Sequence, residues 1–327
     1  MGRNRGHVYG ERIGREADGT PLLRFLAERY RHSPERVWAE RIRSGLVTID
    51  GAAVDTETRL TTGQWLEWSR PGWVEPPAPL TFGVLHDDGD ILAVAKPRGL
   101  PTLPGAGFLE HTLLHRLERY REGARPLHRL GRHTSGIVLC ATRRGSRARL
   151  SRAWIDGRVR KVYRALAVGN PERSEFEVDV PIGPVPYAPL TTLHAASPEG
   201  KPARSVVRVL ERLDALFLCE VEIETGRPHQ IRIHLAAAGF PLAGDPLYVS
   251  GGSPAPGGRA LPGDGGYSLH AMELRFPSAD GGTMTVRCAP PPVLGTTQSS
   301  KPARNSASPS ASSCSFGTKR NDALLMQ

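Results

Sequence analysis

Four segments carry more polar chemistry than the apolar runs around them. Lys96-Pro97-Arg98-Gly99-Leu100-Pro101-Thr102 leaves an apolar run as a rigid loop that begins with a cation. Alone, such a loop is as often a solvated turn. Leu127-His128-Arg129-Leu130-Gly131-Arg132-His133-Thr134-Ser135-Gly136 feeds straight into the apolar residues 137–141. Donors packed ahead of a buried strand sit at its mouth, where Arg129, Thr134, Ser135 and the glycine amides are placed to grip a phosphate or a ribose. In Arg160-Lys161-Val162-Tyr163-Arg164-Ala165, Lys161 and Tyr163 share one strand face. A tyrosine there suits stacking on a base, although a lone strand tyrosine is ordinarily core. Glu224-Thr225-Gly226-Arg227-Pro228-His229-Gln230-Ile231-Arg232-Ile233-His234-Leu235 opens as a glycine turn and becomes a helix, with His229 and Arg232 three apart on one face. Cations, hydroxyls and an aromatic together point to a pocket for a nucleotide. A hydrolase built on Ser135 with His128 or His133 is the weaker reading, since no Gly-x-Ser-x-Gly elbow holds the serine.

The elements that must hold these segments divide the chain. Residues 1–19 read as a flexible polar arm. Residues 20–70 read as a small α+β module. Its first helix carries Leu22, Leu23, Leu26 and Tyr30 on one face, and its second starts after Ser33-Pro34 with Ser33 as expected N-cap. That second helix has Val37, Trp38 and Ile42 as its apolar stripe and Arg36, Arg41 and Arg43 around it. Gly45 ends it, and a strand then runs into an Asp50-Gly51 turn. Residues 71–80 form a proline-rich linker. Residues 81–292 form the large domain, with strands expected at 91–95, 137–141, 159–168, 205–210, 217–223 and 272–276 and helices near 113–120, 146–155 and 230–238. The fold class is α+β with a mostly antiparallel sheet. Residues 293–327, rich in Ser, Pro, Ala and Arg, read as a disordered tail.

The 327 residues carry a formal charge of +10 and a pI near 9.9, which suits a polyanionic partner. Five lysines among the 43 basic residues leave 38 arginines, and arginine both bonds phosphate and stacks on bases. A GC-rich genome would also favour arginine codons. Cys140, Cys219, Cys288 and Cys314 show no metal-ligand spacing, so no zinc is expected. Scattered thiols suit a reducing compartment. With no apolar run of membrane length and no signal-peptide core at the start, a cytoplasmic monomer with no membrane contact is the expectation.

Taken together, the segments resemble the RluA-type RNA pseudouridine synthases over residues 20–277. The resemblance rests on Lys96-Pro97 with Gly99, His128-Arg129-Leu130 with Thr134-Ser135-Gly136, and Lys161-x-Tyr163-x-Ala165. It continues through Thr225-Gly226-Arg227 with His229-Gln230-Ile231-Arg232 and His234-Leu235, then Gly244-Asp245-Pro246-x-Tyr248 and Leu269-His270-Ala271. The small module resembles the alpha-L RNA-binding domain that accompanies this family. The resemblance implies a pseudouridine synthase fold acting on structured ribosomal or transfer RNA without a cofactor or a metal. The C1′–N1 bond of a uridine breaks, the base turns, and C1′ rejoins at C5. Tyr163 corresponds to the tyrosine against the base, and Arg232 to the arginine that pairs with a catalytic aspartate. Lys96, His128, Arg129, Arg132, Thr134, Ser135, Gly136, Lys161, Arg227 and His229 become expected RNA contacts, with Arg36 and Arg43 on the small module. The chain departs from the pattern at Gly131, which stands in the aspartate's place and offers no side chain. Arg232 is then expected to be free for phosphate, unless Asp245 or Asp156 enters the site. A catalytically impaired RNA-binding relative is the alternative.

Overall fold

The computed structural model describes residues 2–296. In the small domain, strand β1 (His7–Arg12) is followed by helices α1 (Leu22–Arg29) and α2 (Glu35–Arg43) and strands β2 (Val47–Ile49), β3 (Ala52–Ala53) and β4 (Trp65–Arg70). The sheet order is β1-β4-β2-β3, all antiparallel. The polar arm is therefore not loose: residues 7–12 pair along the whole length of β4. Leu22, Leu26, Trp38 and Ile42 from the helices close over Val47, Ile49 and Leu66 of the sheet. Asp50 and Gly51 both take positive φ, 50° and 78°, as a tight Asp-Gly hairpin turn demands. Ser33 is not the N-cap of α2. Pro34 holds that position, and Ser33 Oγ instead accepts from Arg41.

The large domain runs β5 (Gly83–Asp87), β6 (Ile91–Lys96), α3 (Leu113–Tyr120), β7 (Arg125–Pro126), β8 (Ser135–Ala141), α4 (Arg144–Ile155) and β9 (Arg160–Val168). It continues through β10 (Glu175–Val178), β11 (Ile182–Tyr187), β12 (Thr191–Ala196), β13 (Ser205–Leu213), β14 (Leu216–Ile223) and α5 (Gln230–Ala237). It closes with β15 (Tyr248–Val249), β16 (Ser253–Pro254), β17 (Leu269–Pro277) and β18 (Thr283–Arg287). A ten-stranded sheet follows the path β10-β13-β14-β9-β17-β8-β6-β5, with β7 and β18 at its side. Its strands alternate between two cores. Leu92, Val94, Val138 and Cys140 face α3 and α5, while Ile91, Ala93, Ile137 and Leu139 face α4. Burying both faces explains why these strands read as near-continuous apolar runs.

β8 and β17 run parallel at the centre, pairing His270 with Ser135 and Ala271 with Gly136. Every other strand pairing in the large sheet is antiparallel among the described residues. This junction brings the start of β8, the start of β17 and the middle of β9 to one place. The proline-rich linker is docked rather than free. Glu75, 4% exposed, accepts from the amides of Leu109, Glu110 and His111 and from Asn4 Nδ2 at 2.7–3.0 Å. Burial pushes its carboxyl upward, but these four donors outweigh burial and hold it below its ordinary value. At the C-terminal end, Pro292–Leu294 forms a short helical turn that buries Leu294. Of the segment expected to be a disordered tail, residues 297–327 lie outside the described residues.

Gly136 is the tightest point of the junction, with φ +110° and an ideal β-carbon only 2.2 Å from the carbonyl oxygen of Ala271. Gly136→Ala should therefore cost ~2–4 kcal/mol from strained backbone and overpacking together. The urea midpoint checks this; an unchanged midpoint would mean the strands part without penalty.

Candidate active site

At this junction lies a cavity of about 130 Å³. Its wall comes from the loop before β8 (Arg129, Leu130, Gly131, Thr134), from Tyr163 on β9, from the turn and first residues of α5, and from Tyr267 and Leu269 at the start of β17.

The loop before β8 is held by the Lys96–Thr102 segment. Thr102 Oγ1 donates to the Leu130 carbonyl at 2.9 Å and accepts from its amide at 3.2 Å. The Gly99 amide donates to the Arg132 carbonyl at 2.8 Å. Lys96, 1% exposed, spends its three protons on the carbonyls of Pro97, Leu100 and Arg132 at 2.7–3.2 Å. Burial pushes its ammonium down to about 7. Lys96 is thus a clamp and not an RNA contact, because the interior has claimed all its donors.

Lys161 is also turned inward. Its ammonium meets the carbonyls of Thr225 at 3.0 Å and Glu224 at 3.4 Å, and burial pushes it down to about 8. It fastens the glycine turn to β9. Gln230 secures the same turn, accepting from Thr225 Oγ1 at 2.7 Å and the Arg227 amide at 3.1 Å while donating to the Arg204 carbonyl at 2.9 Å. His128 stacks on Trp154 and accepts from the Leu139 amide at 3.0 Å. Burial first and Lys161 second push it down to about 3, so it is a neutral packing residue. Ser135 meets His270 Nδ1 at 2.9 Å rather than His128 or His133, and His270 Nε2 faces the Cys288 carbonyl at 3.1 Å. The serine latches β8 to β17, and Gly136 serves their close approach. None of Lys96, His128, Ser135, Gly136 or Lys161 lines the cavity.

Other expected contacts do line it. Arg129 is exposed and, among the described residues, has no hydrogen-bond or ion-pair partner. Thr134 and Arg227 are in the wall, Arg227 with its Nε on the Pro202 carbonyl at 3.1 Å. Arg132 flanks the loop, bonded to the Gly263 carbonyl at 2.9 Å. Tyr163 is 8% exposed, and burial holds its phenol up at about 12. His229 caps α5 in the left-handed region at φ 56°. Its Nδ1 lies 2.7 Å from Tyr248 Oη, which itself donates to the His194 carbonyl at 2.7 Å. The tyrosine's one proton is thereby spent, so His229 Nδ1 is the donor and Nε2 is left as an acceptor. Burial first and Arg232 next push this imidazole down to about 3. Arg36 and Arg43 are exposed on α2, away from this wall.

Arg232 is not free. Its Nε and Nη2 donate to the two carboxylate oxygens of Asp245, each at 2.7 Å, with side chains 3% and 1% exposed. Its guanidinium also lies 4.3 Å from the Tyr267 ring centre and 5.0 Å from that of Tyr248. The carboxylate that was expected to be missing is supplied from the Gly244-Asp245 turn. Asp156 is remote, at the end of α4 and bonded to Arg158. Gly131 is exposed to the cavity. Among the described residues, no Asp or Glu lines the cavity. Tyr267 is the site residue that sequence reading missed. An aromatic two positions before a buried strand ordinarily signals core, and only its neighbours distinguish it.

The parallel junction within the mixed sheet thus opens into a cavity with Arg129 and Arg227 at its edge and Tyr163 and Tyr267 in its wall. Residues 90–237 match the family model described as RNA pseudouridylate synthase. An uncharacterized RNA pseudouridine synthase of Synechocystis is 46% identical over 257 residues, 78% of this chain and 88% of the relative. RNA pseudouridine synthase 5 of Arabidopsis thaliana is 39% identical over 350 residues, 90% of this chain and 95% of that one. The structure of human RNA pseudouridylate synthase domain containing 1 shares the fold at TM-score 0.54 and 24% identity, over 68% of this chain and 89% of its own. The chain belongs to the RNA pseudouridine synthase family.

The Arg232–Asp245 pair is fully desolvated, so removing one partner strands the other's charge. Asp245→Ala should lose ~3–5 kcal/mol of stability. Denaturant unfolding is the check, and a loss below ~1 kcal/mol would mean that water reaches the pair.

Proposed function

We propose that this chain isomerises uridine to pseudouridine in structured ribosomal or transfer RNA. The carrying observation is the cavity itself: it presents one unpartnered arginine at its rim, a tyrosine ring in its wall and a neutral imidazole acceptor beside them. Arg129 and Arg227 meet the backbone around the target, and Thr134 meets its ribose or phosphate. Tyr163 packs on the base once it has left its stack, a step that costs a few kcal/mol. The catalytic apparatus includes Tyr163 and Arg232, the latter holding the wall in place through Asp245. The small domain adds Arg36 and Arg43 on one face of α2 and serves as an RNA-binding module of the alpha-L kind. Its aromatic cluster supports this: Arg41 lies 4.5 Å from the ring centres of both Trp38 and Trp68, and the half-exposed Tyr9 stacks on Trp68 at 5.1 Å.

One observation favours a second reading, an RNA-binding relative without turnover: position 131 is glycine, and no carboxylate faces the cavity among the described residues. The two readings part in one experiment. Deproteinised total RNA from a strain lacking the protein is incubated with the full chain, and pseudouridine is mapped by chemical labelling and sequencing. New sites support the enzyme, and their absence at high protein concentration supports the binder. Arg129→Ala should weaken RNA binding in either case and lower the slope of log affinity against log salt by about one. An unchanged slope would remove Arg129 from the phosphate contacts.

A further inference from the structure

Gly131 is not in strained backbone, and the space in front of it is already claimed. A β-carbon built there lies 3.4 Å from Tyr267 Oη and 3.4 Å from Thr134 Oγ1. The oxygens of a carboxylate on that carbon would stand two bonds further out, in the space that the phenol oxygen and the threonine hydroxyl now border. Tyr267 is 1% exposed and lines the cavity, and among the described residues its hydroxyl has no hydrogen-bond partner. Its ring lies against the Arg232 guanidinium, 4.3 Å from ring centre to guanidinium carbon, which fixes the direction in which the hydroxyl points. Its backbone is anchored too, since Arg98 donates to the Tyr267 carbonyl.

We propose that the phenolic oxygen of Tyr267 takes the place of the absent carboxylate as the catalytic oxygen of this site; the proposal rests on the pseudouridine synthase reading. Of the two phenols in the cavity wall, Tyr267 is the one against Gly131, while burial holds the Tyr163 phenol up at about 12. Thr134 is the other hydroxyl near Gly131, but no base lies within hydrogen-bond distance of it among the described residues, and an alcohol needs one. Asp245 has both its oxygens on Arg232. The chemistry closes without a further reagent. Tyr267 gives its proton to solvent, and the phenolate oxygen attacks C1′ of the target ribose. The C1′–O bond forms as C1′–N1 breaks, with its electron pair leaving on the uracil anion. The base turns, C5 attacks C1′, and the C1′–O pair returns to the phenolate. C5 then loses its proton to solvent and N1 takes one, so the net change is an isomerisation.

The test uses the full chain, total RNA and the transcript bearing whichever uridine the wild type converts. Tyr267→Phe removes one oxygen and keeps the ring under Arg232. Its single-turnover rate should fall about 100-fold or more, with RNA affinity within about twofold and an unchanged melting midpoint. Adding Gly131→Asp to Tyr267→Phe puts a carboxylate into the vacated space and should recover at least about tenfold of the lost rate. That recovery separates a chemical role from a packing role, because a packing defect would persist in the double variant. Tyr267→Phe within threefold of the wild type would overturn the proposal. So would an inactive wild type beside an active Gly131→Asp variant, since the phenol would then supply no chemistry. If neither of these converts any uridine, the pseudouridine synthase reading fails with it, which is a different pattern from the first two.

Discussion

The guanidinium of Arg232 lies almost out of reach of water, and much of the site follows from the need to keep it there. A buried cation is tolerated only when its charge and its protons are met. Asp245 meets the charge with two short parallel bonds, the Pro262 carbonyl takes a third proton at 3.2 Å, and the rings of Tyr248 and Tyr267 lie against it. These contacts tie α5 to the Gly244–Tyr248 turn and to the approach of β17. Asp245 holds that turn further by accepting from the amides of Leu247 and Tyr248. Removing the arginine would therefore release three separate stretches of chain at once, and with them the cavity wall.

The fold was legible in the sequence wherever local pattern governs. The long apolar runs appear as the central strands, and the expected helix at Leu113–Tyr120 has those bounds in the structure. What escaped was set by partners remote in sequence. The N-terminal residues look like a loose arm because their stabilisation comes from β4, whose pairing with His7 lies at Arg70. The lysines were misread for a related reason. A lysine beside glycine and proline normally reaches water, but Lys96 is surrounded by three carbonyls that only the folded loop brings together. Gly136 carries no sign in its own neighbourhood that a parallel strand will press its backbone against it.

At the site, sequence spacing found the wall but not its partners. Arg129, Thr134, Tyr163, Arg227, His229 and Arg232 all reach one cavity. Spacing also suggested that His229 and Arg232 share a helical face; the structure instead makes His229 the cap, in the left-handed region, with its imidazole turned to Tyr248. Asp245 was visible as a candidate, but nothing in linear order says that a turn after α5 folds back onto Arg232. The charge asymmetry was more transparent. A chain with a formal charge of +10 retains an exposed, unpartnered Arg129 at the rim while committing its inner cations to carbonyls and carboxylates.

The pairing of Arg232 with Asp245 also explains how the fold accommodates glycine at 131. Were the arginine's charge neutralised from position 131, a glycine there would strand a cation in the interior, a loss of several kcal/mol. Here the neutralising carboxylate comes from the Gly244-Asp245 turn, so position 131 carries no structural charge. Its backbone is ordinary, its neighbours are two hydroxyls, and it opens onto the cavity. The substitution therefore leaves the scaffold's electrostatics closed. Folding at this point is thus independent of position 131: the buried pair holds the wall with no charge supplied from there.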